Sequence, residues 1–372
     1  VYTFLDRFFG EMAALFPDAY LHIGGDEVTP RQWNANPGIQ DFMYEKGLND
    51  AADLQAHFNV RVNEILTRHG KRMVGWDEIL REDLPRTIVV QSWRGAKALA
   101  RAAELGYEGL LSNGYYLDLS FPAETHYLPD PIPADSTLSP QARARVLGGE
   151  ACLWGEFVSP ENIDVRLWPR AAVVAERLWS PAEVRDVDDM YRRMEVQSAR
   201  LARLGMNHQA NYTVMLERLA AGGDVAPLRA LADVVEPVKE YRRGRMRLST
   251  QQDPLDRLVD TARPESLAAR HFRRQVDRLL LTAADRRDDG ALRQALSAWR
   301  DNHARLDPVL AASPRAREAR SLSRDLSALG ALGLQALDAL RAGQARPEAW
   351  HQESTRVIAQ AAKPRAEVEL AV

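Results

Sequence analysis

Apolar positions follow two alternating rhythms over the first 210 residues. Short, almost wholly apolar runs occur at "AYLHIGG", "RMVGW", "TIVVQSW", "EGLLSN" and "VLGGEACLW". Their shortness and apolar character predict strands. Between them, apolar residues return at helical spacing. Leu54, Phe58, Val62, Ile65 and Leu66 predict a helix over Leu54 to His69. "AKALARAAELG" predicts a second, with Gly106 placed to close it. "YTFLDRFFGEMAALF" opens the chain as a third. Strand followed by helix, repeated, means parallel β/α units. Strands apolar at nearly every position fit a sheet covered on both faces.

From about residue 213 the rhythm changes to Ala-, Arg- and Leu-rich helical periodicity with few strand signals. "VAPLRALADVVEPVKEYRRGRMRL", "PESLAARHFRRQVDRLLL" and "REARSLSRDLSALGALGLQALDAL" predict amphipathic helices, punctuated by Pro227, Pro254, Pro264, Pro308 and Pro314. The chain therefore divides into a β/α region, residues 1–210, and a helical extension, residues 211–372. The arginines of the extension are expected on solvated faces beside acids.

Composition narrows the function classes. With 372 residues and a net charge of −3, no global field favours nucleic acid or an anionic membrane. No apolar run is long enough to span a bilayer. The single cysteine, Cys152, lies in an apolar run, which predicts an inert thiol. No Cys/His cluster suggests a zinc site, and no G-x-G-x-x-G or P-loop suggests a nucleotide, which disfavours an open doubly wound sheet. The chain begins at Val1 inside a helical pattern. It is read as a piece of a larger gene product, so the lack of a signal peptide says nothing about export.

Polar and aromatic residues cluster just after each predicted strand: Asp26 and Glu27, Trp76 to Glu78, Trp93, Tyr115 to Asp118, and Trp154 to Glu156. In a (β/α)₈ barrel that rim carries the chemistry. Neighbours in a regular strand point to opposite faces, so Asp26 and Glu27 can serve one site only if the strand ends at Gly24 and Gly25 and the chain twists there. Adjacent carboxylates favour split protonation, which suits a pair with separate tasks. A loop acid pair or a helix cap is the ordinary alternative. One tryptophan at a strand end is usually packing; three, Trp76, Trp93 and Trp154, suggest a walled pocket. Extended spacing would put Tyr116 and Asp118 on one face, and Trp154 with Glu156 repeats the arrangement. His22 is expected to be a buried, hydrogen-bonded histidine. Asp77 and Glu78 are expected to give structural support, Trp168 and Trp179 to be core anchors, and Glu176 and Arg177 an ion pair of the helix surface.

The ordered motifs "HIGGDEV", "GWDEIL", "VQSWRG", "YYLDL" and "GGEACLWGE" resemble the family 20 glycoside hydrolases, the β-N-acetylhexosaminidases, over roughly residues 1–205. The resemblance implies a (β/α)₈ barrel and exo-cleavage of terminal GlcNAc or GalNAc without a cofactor. It implies a retaining mechanism in which the substrate's own acetamido oxygen attacks the anomeric carbon, giving an oxazolinium intermediate. Carried over, Glu27 becomes the general acid and base. Asp26 orients the acetamido N–H, and Tyr116 holds the acetamido oxygen. Trp76, Trp93 and Trp154 enclose the methyl group, while Asp118 and Glu156 bind sugar hydroxyls. The implied partner is an N-acetylhexosamine oligosaccharide or glycoconjugate.

One departure follows. The family's barrel has three strands, one bearing a sugar-gripping arginine, before the helix that opens this chain. The expectation is therefore a partial barrel, strands four to eight, with open edges that invite self-association. Two other readings stay open: an idle carbohydrate-binding fragment, and another retaining barrel glycosidase. No compartment is legible; a periplasmic or extracellular setting is the expectation for the full-length parent.

Overall fold

The protein is described by a computed structural model over residues 1–82, 84–283 and 288–372. The chain forms two compact units: residues 1–116, 128–152 and 176–184, and residues 117–127, 153–175 and 185–372.

The first unit is built on a five-stranded parallel sheet: β1 (Tyr20–His22), β2 (Arg72–Trp76), β3 (Val89–Ser92), β4 (Glu108–Leu111) and β5 (Val146–Gly149). All five sequence-predicted strands form, and their order in the sheet is their order in the chain. A doubly wound sheet reverses its order at a switch point; this one does not, as in a barrel wound in one direction. The opening helix is Tyr2–Leu15. The next predicted helix spans Ala51–Arg68 and begins three residues early, because the Asp50 side chain accepts from the Asp53 N–H and caps it. The third spans Ala96–Glu104. Phe9, Val62, Ile65, Leu66, Met73, Ile79, Val90 and Ala102 make one apolar core between helices and sheet. Burial on both faces holds for β3 and for four positions of β2. It does not hold for β1 and β5, the outer strands, where Tyr20, His22 and Leu147 are exposed.

The second unit is mostly helical. Val187–Arg203, Ala210–Leu219, Leu267–Leu281, Gly290–Ala312, Arg320–Ala342 and Glu348–Ala361 are its longer helices. Leu216, Leu228, Leu231, Leu258, Leu306, Leu310, Leu322 and Leu326 lie in its core. Three expectations fail here. The stretch from Val225 is not one helix: Val225–Ala232 is helical, Val235–Pro237 is a strand (β6), and Arg242–Met246 is a short helix. The strand β6 pairs antiparallel with Val368–Leu370 (β7), a partner more than a hundred residues away that no local pattern announces. Pro308 lies inside a helix rather than between two. Arg243 is not on a solvated face either; it is buried against Asp260 at 2.5 Å and Glu367 at 3.1 Å. Among the described residues no helix is long and apolar enough to cross a membrane.

Candidate active site

In the first unit the acid pair sits on a sharply turned backbone. The strand β1 ends at His22. Gly24 (φ 77°), Gly25 (φ 93°) and Glu27 (φ 49°) then take left-handed conformations, which is the twist that the adjacent acids require. A non-glycine residue in that region is uncommon and marks Glu27 as a position held by its surroundings. The loop is pinned to its neighbours. The Trp76 N–H donates to the Gly24 carbonyl at 2.9 Å, Gln55 Nε2 donates to the Gly25 carbonyl at 2.7 Å, and the Gly24 N–H donates to His22 Nδ1 at 3.0 Å. Asp26 and Glu27 are both exposed.

His22 corrects its expectation: it is exposed on the outer strand, although hydrogen-bonded, with its ring edge-on to Trp76 at 5.0 Å. Partial desolvation lowers its pKa, and the nearby Asp26 carboxylate and a Gln91 hydrogen bond oppose that shift. Trp76 is buried under the loop. Trp93 is half-buried and donates its indole N–H to both Glu78 oxygens, at 2.9 and 3.0 Å. Asp77 is buried and accepts from Ser92 Oγ at 3.1 Å and Arg94 Nε at 2.8 Å. Both acids therefore hold rim elements, as expected of structural supports.

Tyr116 is half-buried and forms an isolated parallel bridge with Cys152, which is partly accessible and not inside a regular strand. Arg177 is not on a helix surface. It is fully buried, donates to the carbonyls of Val184 (2.8 Å), Ser180 (3.3 Å) and Pro181 (2.8 Å), and faces Asp130 at 3.8 Å. Trp179 is no anchor: it is 93% exposed.

In the second unit Asp118, Trp154 and Glu156 line one cavity of about 90 Å³. The expectation of an extended chain at Asp118 fails, because residues 117–119 form a bend and turn. That turn is held by Arg170, which donates to the Leu117 carbonyl at 2.8 Å and the Phe121 carbonyl at 2.9 Å. Burial pushes the Asp118 carboxyl up to about 6; backbone N–H groups of Asp118 and Trp154 pull it down, and the Glu156 charge raises it further. Among the described residues Asp118 Oδ1 has no hydrogen-bond partner. Trp154 and Glu156 are exposed at the cavity. The pattern missed Gln55, which lies in the middle of an ordinary amphipathic helix. It also missed Arg170, whose charge in a helical stretch carries no sign of burial, and Glu240 and Tyr241, which line the same cavity as Asp118 from far along the chain.

Residues 1–182 match the family model described as glycosyl hydrolase family 20, catalytic domain. The β-hexosaminidase subunit beta of Mus musculus is 37% identical over 221 residues, covering 57% of this chain and 41% of its own length. The chain thus spans about two-fifths of the length of the curated relatives it matches. A Flavobacterium johnsoniae chitobiase structure aligns over the whole chain and 57% of its own, at 35% identity and a TM-score of 0.92, so the helical region too has a counterpart there. An exo β-N-acetylglucosaminidase from Vibrio harveyi, solved with N-acetylglucosamine, aligns over 55% of this chain and 35% of its own, at 32% identity and a TM-score of 0.51. It is residues 1–182 of this chain that are similar to the glycosyl hydrolase family 20 catalytic domain.

Proposed function

We propose that this protein is an exo-acting, retaining β-N-acetylhexosaminidase that hydrolyses terminal non-reducing GlcNAc or GalNAc by substrate-assisted catalysis. The observation that carries this reading is the turn through Gly24, Gly25 and Glu27, which presents two adjacent exposed carboxylates at the end of β1 within the family 20 region. On this reading the five strands correspond to strands four to eight of the barrel.

The acetamido oxygen of the substrate attacks its anomeric carbon. Glu27 gives a proton to the departing glycosidic oxygen, so the carbon–oxygen bond breaks without a free alkoxide. Asp26 accepts the acetamido N–H and stabilises the positive charge that spreads onto the nitrogen as the oxazolinium forms. Tyr116 donates its phenolic hydrogen to the acetamido oxygen and aims it. Water then attacks the anomeric carbon from the vacated face. Glu27, now ionised, takes its proton, and the ring opens to the retained product. Trp76, Trp93 and Trp154 enclose the acetamido methyl group. Asp118 and Glu156 accept from hydroxyls of the terminal sugar, which favours exo-cleavage. The intramolecular attack supplies a high effective molarity that no enzyme nucleophile needs to match.

The test is Glu27→Gln on aryl N-acetylglucosaminides of graded leaving-group acidity. Losing the proton donor should cost about 10²–10⁴ in rate for poor leaving groups and far less for the most acidic phenols. An equal loss along the series would remove Glu27 as general acid.

A further inference from the structure

The helical region reaches the cavity that Asp118 lines. The backbone N–H of Glu240 donates to the Leu119 carbonyl at 3.0 Å. Lys239 Nζ donates to the Ser120 carbonyl at 2.9 Å, while also holding Glu236 at 2.6 Å and the Pro264 carbonyl at 3.0 Å. The turn after Asp118 and the segment after β6 are thereby clamped side by side. Both carry a residue in a left-handed conformation, Ser120 (φ 59°) and Glu240 (φ 56°). Neither is glycine, and such conformations persist where the surroundings over-determine them, often at ligand clamps. Arg243 closes the floor: its guanidinium lies 4.1 Å over the Phe157 ring. Asp118, Trp154 and Glu156 line the cavity together with Val238, Glu240 and Tyr241. Tyr241 is 62% exposed, so its ring is accessible to a ligand in this cavity.

We propose that Glu240 and Tyr241 are specificity residues for the sugar that Asp118 and Glu156 bind, with Tyr241 covering the pyranose ring and the Glu240 carboxylate accepting from a ring hydroxyl. The inference rests on the function proposed above and deepens it. GlcNAc and GalNAc differ only in the direction of one hydroxyl, and a carboxylate that can reach it in one epimer is left unpaired by the other. The helical region then sets the preference between the two sugars.

The experiment uses the full protein with aryl N-acetylglucosaminide and N-acetylgalactosaminide. Tyr241→Ala should raise KM about tenfold for both while kcat stays within about threefold, and Tyr241→Phe should stay near wild type because the ring is what matters. Tyr241→Leu, which keeps bulk without the aromatic face, serves if the alanine variant does not fold. Glu240→Gly tolerates the left-handed backbone and deletes the whole side chain, carboxylate included. It should change the ratio of kcat/KM for the two epimers by about fivefold or more. Asp118→Asn is run in parallel. A raised KM in Asp118→Asn, with wild-type KM and epimer ratio in the Glu240 and Tyr241 variants, overturns this inference and leaves the proposed function standing. Wild-type protein that hydrolyses neither epimer overturns both.

Discussion

Gly25→Ala is the sharpest test of the way the fold presents the acid pair. At φ 93° any side chain is strained, and a left-handed alanine costs about 1–2 kcal/mol. The added Cβ would also lie 2.4 Å from Ile79 Cγ2, so loop or side chain must give way by about 1 Å to reach ordinary contact. Ile79 is buried in the core under the sheet and cannot swing away freely. Overpacking of that kind costs about 1–3 kcal/mol more. The variant should therefore lose about 2–5 kcal/mol of unfolding free energy in urea. The loop that moves carries Asp26 and Glu27, and a misplacement of about 1 Å at reacting groups costs about 10²-fold in rate, so kcat should fall by that order in protein that is still folded. Adding Ile79→Ala removes the clash but not the backbone strain. The double variant should then be more stable than the sum of the single losses by about 1–3 kcal/mol. Urea unfolding of the four proteins, with turnover measured below the transition, reads both effects. A Gly25→Ala protein with the wild-type unfolding midpoint and turnover within twofold would refute the reasoning.

Asp118 should make stability depend on pH. Its folded pKa, raised to about 6, lies above the unfolded value, so its contribution is fully present below about pH 4 and is lost as pH rises through 6. Measured against Asp118→Asn, the wild type should lose about 1–2 kcal/mol over that window, after allowance for solvent screening, and change little above pH 7; a flat difference would count against burial as the cause. Arg177→Met removes the buried donor to three carbonyls and the charge that faces Asp130 in the first unit, and should cost about 3–5 kcal/mol in urea unfolding while turnover per folded molecule is kept. A neutral result there would mean that the buried guanidinium is dispensable. Glu78→Ala removes the acceptor that fixes the Trp93 indole, a charge-assisted bond worth about 1.5–3 kcal/mol, and should lower kcat/KM for N-acetyl substrates by about tenfold. If kcat/KM is unchanged, Trp93 is held by packing alone.

Local pattern was enough for some features because their causes are local. The five apolar runs that became β1 to β5 needed only a short apolar stretch with turn residues on either side, and the order of β/α units followed from their alternation. The glycines before Asp26 and Glu27 announced a strand end, since neighbouring residues of a regular strand point to opposite faces, and the backbone there leaves the strand through left-handed conformations. Other features depend on what meets what in space. Arg177 and Arg243 read as surface charges because charge normally avoids the interior; Arg177 is buried among the carbonyls of the turn that follows its own helix and faces Asp130 from another segment, and Arg243 is buried against carboxylates from distant segments. The strands β6 and β7 are three residues each and exist only because each finds the other. Trp179 looked like an anchor by its size, but a helix face is buried only where a partner lies against it, and this one points to solvent. Asp118 could be named as a polar residue after a strand, whereas its raised pKa comes from burial, and the cavity it shares with Glu240 and Tyr241 is lined by a segment more than a hundred residues away. Periodicity reports how a segment meets water; only tertiary packing decides which segments replace that water.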